Sequence, residues 1–211
     1  MDYDFIYRRH SVRQFTEEPV SEALIEKLVQ AATAAPSGKN KQNWHFVAVT
    51  DPKKIQEIAR LVEAENSRLA GFLTDEAKIK AFKGTVAYHT VFKGAPVLIL
   101  AYAGPYETVG TMLAEAKVMA KEELHRYYKP NPGIQNVAAA MENLLLAAAS
   151  EGLGTCWMTG PTYAAEAISK YIGFEKSGYD LIAMTPLGHP ASDKLSSPPR
   201  KAVAEVLTFI R

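Results

Sequence analysis

The chain has 211 residues, 47% hydrophobic and 22% charged, and a formal net charge of +1. That is enough apolar material for a single domain spanning 1–211 with its own core, and the balanced charge excludes the basic face that nucleic-acid binding needs. One cysteine, Cys156, excludes an internal disulfide framework and a CxxC centre, while short apolar runs and a charged N-terminus lead us to expect a cytoplasmic protein that does not span a membrane.

Residues 2–9 read as a short helix with Phe5 and Ile6 inward. Ser21 is an N-cap candidate before an apolar stripe of Leu24, Ile25, Leu28, Val29 and Ala32, and Pro36 stops that helix. A strand is expected over 46–50. Pro52 then opens a helix to about residue 69, with Ile55, Ile58, Ala59 and Val62 at helical spacing. Residues 64–93 are mixed and aromatic, and read as a lid or an excursion onto a partner subunit. A buried strand over 95–101 follows, then a helix over 109–126. The helix over 134–151 is apolar nearly all round, so it is expected to lie centrally or at an interface. Short strand 155–158, helix 163–171, strand 179–188 and a last strand over 203–210 complete the chain. Strands separated by helices rather than joined by hairpins mean α+β or α/β.

Three segments could carry chemistry. Arg8-Arg9-His10-Ser11-Val12-Arg13 packs three guanidiniums, an imidazole and a hydroxyl into six residues. In extended backbone Arg9, Ser11 and Arg13 point to one side, where guanidinium forks and a hydroxyl grip a phosphate; a solvated basic face is the other reading. Pro198-Pro199-Arg200-Lys201 adds a second basic spot that could fold back on the first. The loop from Pro36 to Gln42 sits between a helix and a strand. Ser37 and Gly38 allow close approach to backbone, and Asn40 and Gln42 each offer a donor and an acceptor, which suits a heterocycle edge as well as an ordinary turn. Thr155-Cys156-Trp157-Met158-Thr159-Gly160 is a strand running into a turn whose N–H groups could donate to a ring nitrogen. Cys156 itself reads as core, because no cationic neighbour is close in sequence. No G-x-S-x-G, H-E-x-x-H, Walker or G-x-G-x-x-G pattern is present, and the five histidines are scattered, so no metal site is expected.

Taken in order, R-H-S-x-R, P-S-x-x-N-x-Q-x-W-x-F, N-L-L-L-A-A with G-L-G-T-x-W, and P-L-G-H-P resemble the FMN-dependent nitroreductase family over nearly the whole chain. The resemblance implies an α+β fold with a mostly antiparallel sheet, and an intertwined homodimer with two FMN sites. It also implies ping-pong two-electron transfer from NADH or NADPH to small nitroaromatic, quinone or related acceptors. By position, Arg9, Ser11 and Arg13 with His10 beside them would hold the FMN phosphate and ribityl chain, and Arg200 and Lys201 would close that pocket. Pro36, Ser37, Gly38 and Asn40 would reach the flavin from the other subunit. Met158, Thr159 and Gly160 would lie along the isoalloxazine, a backbone N–H donating to N5. Two alternatives accompany this reading: reductive dehalogenation or flavin fragmentation on the same scaffold, and a flavin-binding protein without turnover. The chain departs from the family in three places. Asn43 follows Gln42 where proline is common, Pro198 stands where some relatives carry lysine, and residues 85–93 offer no match to the Asn or Lys that often meets the flavin pyrimidine.

Overall fold

A computed structural model of the chain describes residues 3–192 and 197–211. In chain order the elements are α1 (Asp4–Tyr7), α2 (Glu22–Thr33), β1 (Trp44–Val49), α3 (Pro52–Ala70), α4 (Glu76–Gly84) and α5 (Val86–His89). They continue with β2 (Val97–Ala103), α6 (Val109–Ala116), α7 (Lys121–Tyr128), α8 (Pro132–Ser150), β3 (Gly154–Thr155), α9 (Ala165–Ile172), β4 (Asp180–Gly188) and α10 (Val203–Val206). The sheet has order β1-β2-β4-β3 and every neighbouring pair is antiparallel. The fold class is therefore α+β.

The helix starts follow their local chemistry. The Ser21 hydroxyl accepts from the Leu24 N–H at 3.2 Å. The Asp51 carboxylate accepts from Lys53 at 2.8 Å, just before Pro52 at the first helical position. Each such cap contributes about 1 kcal/mol.

Burial of apolar faces does the rest, at roughly 1.5–3 kcal/mol per large side chain. Strand β2 is buried along its whole length and divides its side chains by the two-residue period. Val97, Ile99, Ala101 and Ala103 pack with α2 and α8 through Ile25, Leu28, Met141, Leu144 and Leu145. Leu98, Leu100 and Tyr102 pack on the other face with α3 and α9, through Ile55, Ile58, Val62 and Ile168. Helix α8 is thus central, as its composition implied.

Three expectations are corrected. Phe5 and Ile6, expected to face inward, are exposed in the single chain, where the one-turn α1 buries no residue. The helix expected over 109–126 is two, because Lys117 takes a left-handed conformation at φ 54° and ends α6; α6 and α7 form a helical hairpin. The strand expected over 203–210 is absent from the single chain. Residues 203–206 form one helical turn, and Leu207, Phe209 and Ile210 stay exposed, 210 at 92%. A lone extended segment has no ladder to join, and among the described residues none is offered to it. Residues 64–93 pack as the end of α3 with α4 and α5, tied by the buried Asn66, which donates to Phe82 O at 3.2 Å.

Candidate functional site

The N-terminal basic segment is held flat against β3. Val12 N–H donates to Thr155 O at 2.8 Å, and Ser11 forms a parallel bridge with Thr155. Farther along, Thr16 N–H donates to His189 O at 2.9 Å and Ala191 N–H to Gln14 O at 3.0 Å. This extended geometry sends Arg9, Ser11 and Arg13 to one side. All three act on the Cys156 thiol: burial pushes its pKa up, while the Arg13 charge, a hydrogen bond with Ser11 and the Arg9 charge pull it back. Cys156 is core, as expected, yet two cations lie beside it that its own sequence neighbourhood lacks. Arg13 has no carboxylate partner among the described residues, and Arg9 Nε is 3.9 Å from Glu142 on half-exposed ground, where an ion pair is worth little. Two guanidiniums and a hydroxyl on one side of an extended segment, with so little anionic compensation, fit a phosphate. A cleft of about 320 Å³ opens beside this segment, lined by Arg9, His10, Gly152, Leu153, Thr155 and Pro190 among others, with Ser11, Arg13 and Cys156 outside its lining.

The C-terminal loop does return to this corner. Ser197 Oγ lies 2.9 Å from His10 Nδ1. Arg200 and Lys201 follow a few residues later and are exposed.

Beyond β3 the chain continues along β4 through a bridge between Met158 and Met184, then turns at Thr159 and Gly160. The Thr159 carbonyl accepts from both Thr162 N–H and Thr162 Oγ1. The Thr159 and Gly160 N–H groups donate to nothing among the described residues, so two adjacent donors stand free at a strand end. From Thr155 to Gly160 the chain spans at most about 16 Å, the scale of a ligand with a phosphate at one end and a ring at the other. A side chain on Gly160 would collide with the His89 ring. The His89 Nδ1 lies 3.3 Å from Tyr163 OH. Burial lowers the His89 pKa; burial also raises that of Tyr163, against a hydrogen bond from Asn66.

The loop before β1 forms a 3₁₀ turn, Gly38–Asn40, with positive φ at Lys39, Asn40 and Gln42. Gln42 N–H donates to Ser37 Oγ at 3.0 Å, and Gln42 Nε2 to Asn40 Oδ1 at 3.0 Å. Pro36, Gly38 and Asn40 are exposed, so the loop presents polar edges outward. It lies by the edge strand opposite β3. Three strand spacings, about 14 Å, separate that edge from the basic corner.

The model of the nitroreductase family matches residues 6–189. The chain belongs to the nitroreductase family. It is thereby a flavin oxidoreductase. A BluB-like flavoprotein from Clostridium difficile, solved by crystallography, is 37% identical with a TM-score of 0.92, covering 100% of both chains. An iodotyrosine deiodinase of Thermotoga neapolitana is 28% identical over 99% of each chain. An NADH dehydrogenase/NAD(P)H nitroreductase of Archaeoglobus fulgidus, so described provisionally, is 26% identical over 90% of this chain and 85% of its own.

Among the residues the family resemblance singles out, Arg9, His10, Ser11 and Arg13 are brought together beside β3, with Met158, Thr159 and Gly160 farther along the same segment. Pro36, Ser37, Gly38 and Asn40 are not brought to them within one chain. His89 and Tyr163 are additions that sequence reading missed. Nothing local marks them; only the requirement for glycine at position 160 hints at a close neighbour.

Proposed function

We propose that the chain is one FMN-binding unit over 1–211, and that it uses NADH or NADPH to reduce small nitroaromatic, quinone or related acceptors. The observation carrying this reading is that Arg9, Ser11 and Arg13 all act on Cys156, whose segment runs on to two N–H groups without a partner among the described residues. In this reading the guanidiniums and Ser11 hold the phosphate, with His10, Arg200 and Lys201 closing the pocket. The N–H groups of Thr159 and Gly160, after Met158, orient the ring edge. Bound FMN supplies the ping-pong two-electron chemistry; the chain supplies orientation and positive electrostatics. A cytoplasmic setting suits the free thiol of Cys156.

The full-length likeness to a deiodinase favours a second reading, reductive dehalogenation, with residues 64–93 as the substrate lid. Heat release should yield FMN in the supernatant, and NADH or NADPH should bleach the yellow protein under argon. Release of FAD, or no flavin after reconstitution, would sink the cofactor assignment. Colour that persists under both nicotinamides would mark a binding protein without turnover. Faster reoxidation by 3-iodotyrosine than by nitrobenzene would favour dehalogenation.

A homodimer follows from the same reading. The 36–40 loop and the basic corner lie by opposite sheet edges, too far apart to face one ring within a chain, whereas a second copy could bring them together. The exposed apolar tail of Val203, Val206, Leu207, Phe209 and Ile210 offers surface for that partner, and β1 is an unpaired edge. Subunit exchange between Arg9→Ala/Arg13→Ala and Ser37→Trp proteins, each inactive alone when assayed without excess FMN, should regenerate about one working site per heterodimer. Exchanged heterodimers that stay inactive would refute the shared site.

A further inference from the structure

Asn43, at the position where the family commonly has proline, is only 4% exposed, and Asn136 on α8 is 7% exposed. Their side chains form a directional chain of hydrogen bonds. Gly38 N–H donates to Asn136 Oδ1 at 3.0 Å. Asn136 Nδ2 donates to Asn43 Oδ1 at 2.8 Å. Asn43 Nδ2 donates to both Gly104 O and Gly133 O at 3.1 Å. Gly104 N–H closes the loop by donating to Asn43 O at 2.6 Å. Only one orientation of each amide works, because two carbonyls face Asn43 Nδ2 and an N–H faces Asn136 Oδ1.

The groups joined are distant in sequence. Gly38 belongs to the loop assigned to the flavin. Gly104 and Gly133 are the two roots of the α6–α7 hairpin. Tyr106 reinforces the junction, since its ring fills the space beside both Gly38 and Gly133. Between the loop and the hairpin lies a cleft of about 420 Å³, lined by Lys39, Tyr106, Glu107, Val109, Met112 and Arg126 among others. Val109 and Met112 are exposed on the hairpin, and Arg126 has no carboxylate partner among the described residues.

We propose that Asn43 and Asn136 are positioning residues: their amide relay fixes the α6–α7 hairpin against the flavin-facing loop, so that the hairpin cleft selects the acceptor. With Glu107 answering Lys39 across the cleft, Arg126 is the charge left over, so the cleft favours a flat aromatic acceptor carrying an anionic group. This rests on the flavin reading above. The relay isolates two effects, because an aspartate at 43 would still accept from Asn136 while turning an oxygen towards two carbonyls. It should free the hairpin and leave Gly38 held.

The test is Asn43→Asp in the FMN-loaded protein. Tryptic cleavage within residues 117–129 should speed at least tenfold and KM for 4-nitrobenzoate should rise at least tenfold. The rate of bleaching by NADH and the affinity for FMN should stay within threefold. Unchanged cleavage and KM, or equal losses in every readout, would overturn the proposal. Hydrogen exchange on the wild-type protein gives a second measurement that needs no variant. The amides of Gly38, Gly104 and Ile134, each hydrogen-bonded at the junction, should become exchangeable in one cooperative step; independent opening would overturn the relay. Failure of the wild type to take up FMN would sink the flavin reading instead, and the proteolysis and exchange results would still judge the relay.

Discussion

Replacing Arg9 and Arg13 together by alanine is expected to weaken FMN binding by about 10²- to 10⁴-fold. Each guanidinium would make charge-assisted contacts worth about 1.5–3 kcal/mol, and 1.4 kcal/mol is a factor of ten. Each single variant should therefore lose roughly ten- to a hundredfold. Neither side chain is placed at the ring, so the variants should purify pale and regain turnover in excess FMN. Quenching of FMN fluorescence on titration of apoprotein measures the loss, and anaerobic bleaching by NADH measures the recovery. Arg13→Lys should fall between, since it keeps the charge but not the planar fork. Retention of FMN within threefold of wild type in the double variant would remove these residues from the phosphate site.

Gly154→Ala should damage both stability and the cofactor site. An added Cβ would sit 2.7 Å from Val12 Cβ and 2.8 Å from each of its methyl groups. These are the branched atoms of a buried valine, so the segment itself must move. Overpacking of this kind costs about 1–3 kcal/mol. The movement would pull Val12 N–H from Thr155 O and tilt Ser11 and Arg13 away from Cys156. A lower denaturant midpoint should accompany weaker FMN binding. Gly173→Ala is the comparison. Its φ is +70° with open space beyond, so the strain of an alanine there should lower stability with far less effect on FMN. A Gly154→Ala protein that is as stable and as tightly loaded as wild type would show that the β3 contact does not register the basic segment.

The periodic parts of the fold were legible because local sequence and tertiary demand agree there. Ser21 caps where its hydroxyl precedes the stripe of α2, Pro52 opens α3, and the run from Val97 is buried on both faces, as an unbroken apolar strand must be. Boundaries shifted where long-range pairing sets them. β1 begins at Trp44 because its partner β2 extends to Ala103. The break at Lys117 carries no glycine or proline to announce it. The tail has strand composition, yet strand formation depends on an edge that composition does not supply.

The candidate site divides the same way. Its basic segment was readable because extended backbone alone puts Arg9, Ser11 and Arg13 on one side, and the ordered motifs fixed the family. The cations beside Cys156, the His89–Tyr163 pair behind Gly160 and the Asn43–Asn136 relay were not readable. Each joins residues tens of positions apart, from 43 with 136 to 89 with 163. Sequence by itself determined the residue types and their local conformations, since these depend on neighbouring side chains and backbone sterics. Only the tertiary structure decided which of them meet, because burying two faces of one sheet chooses those neighbours.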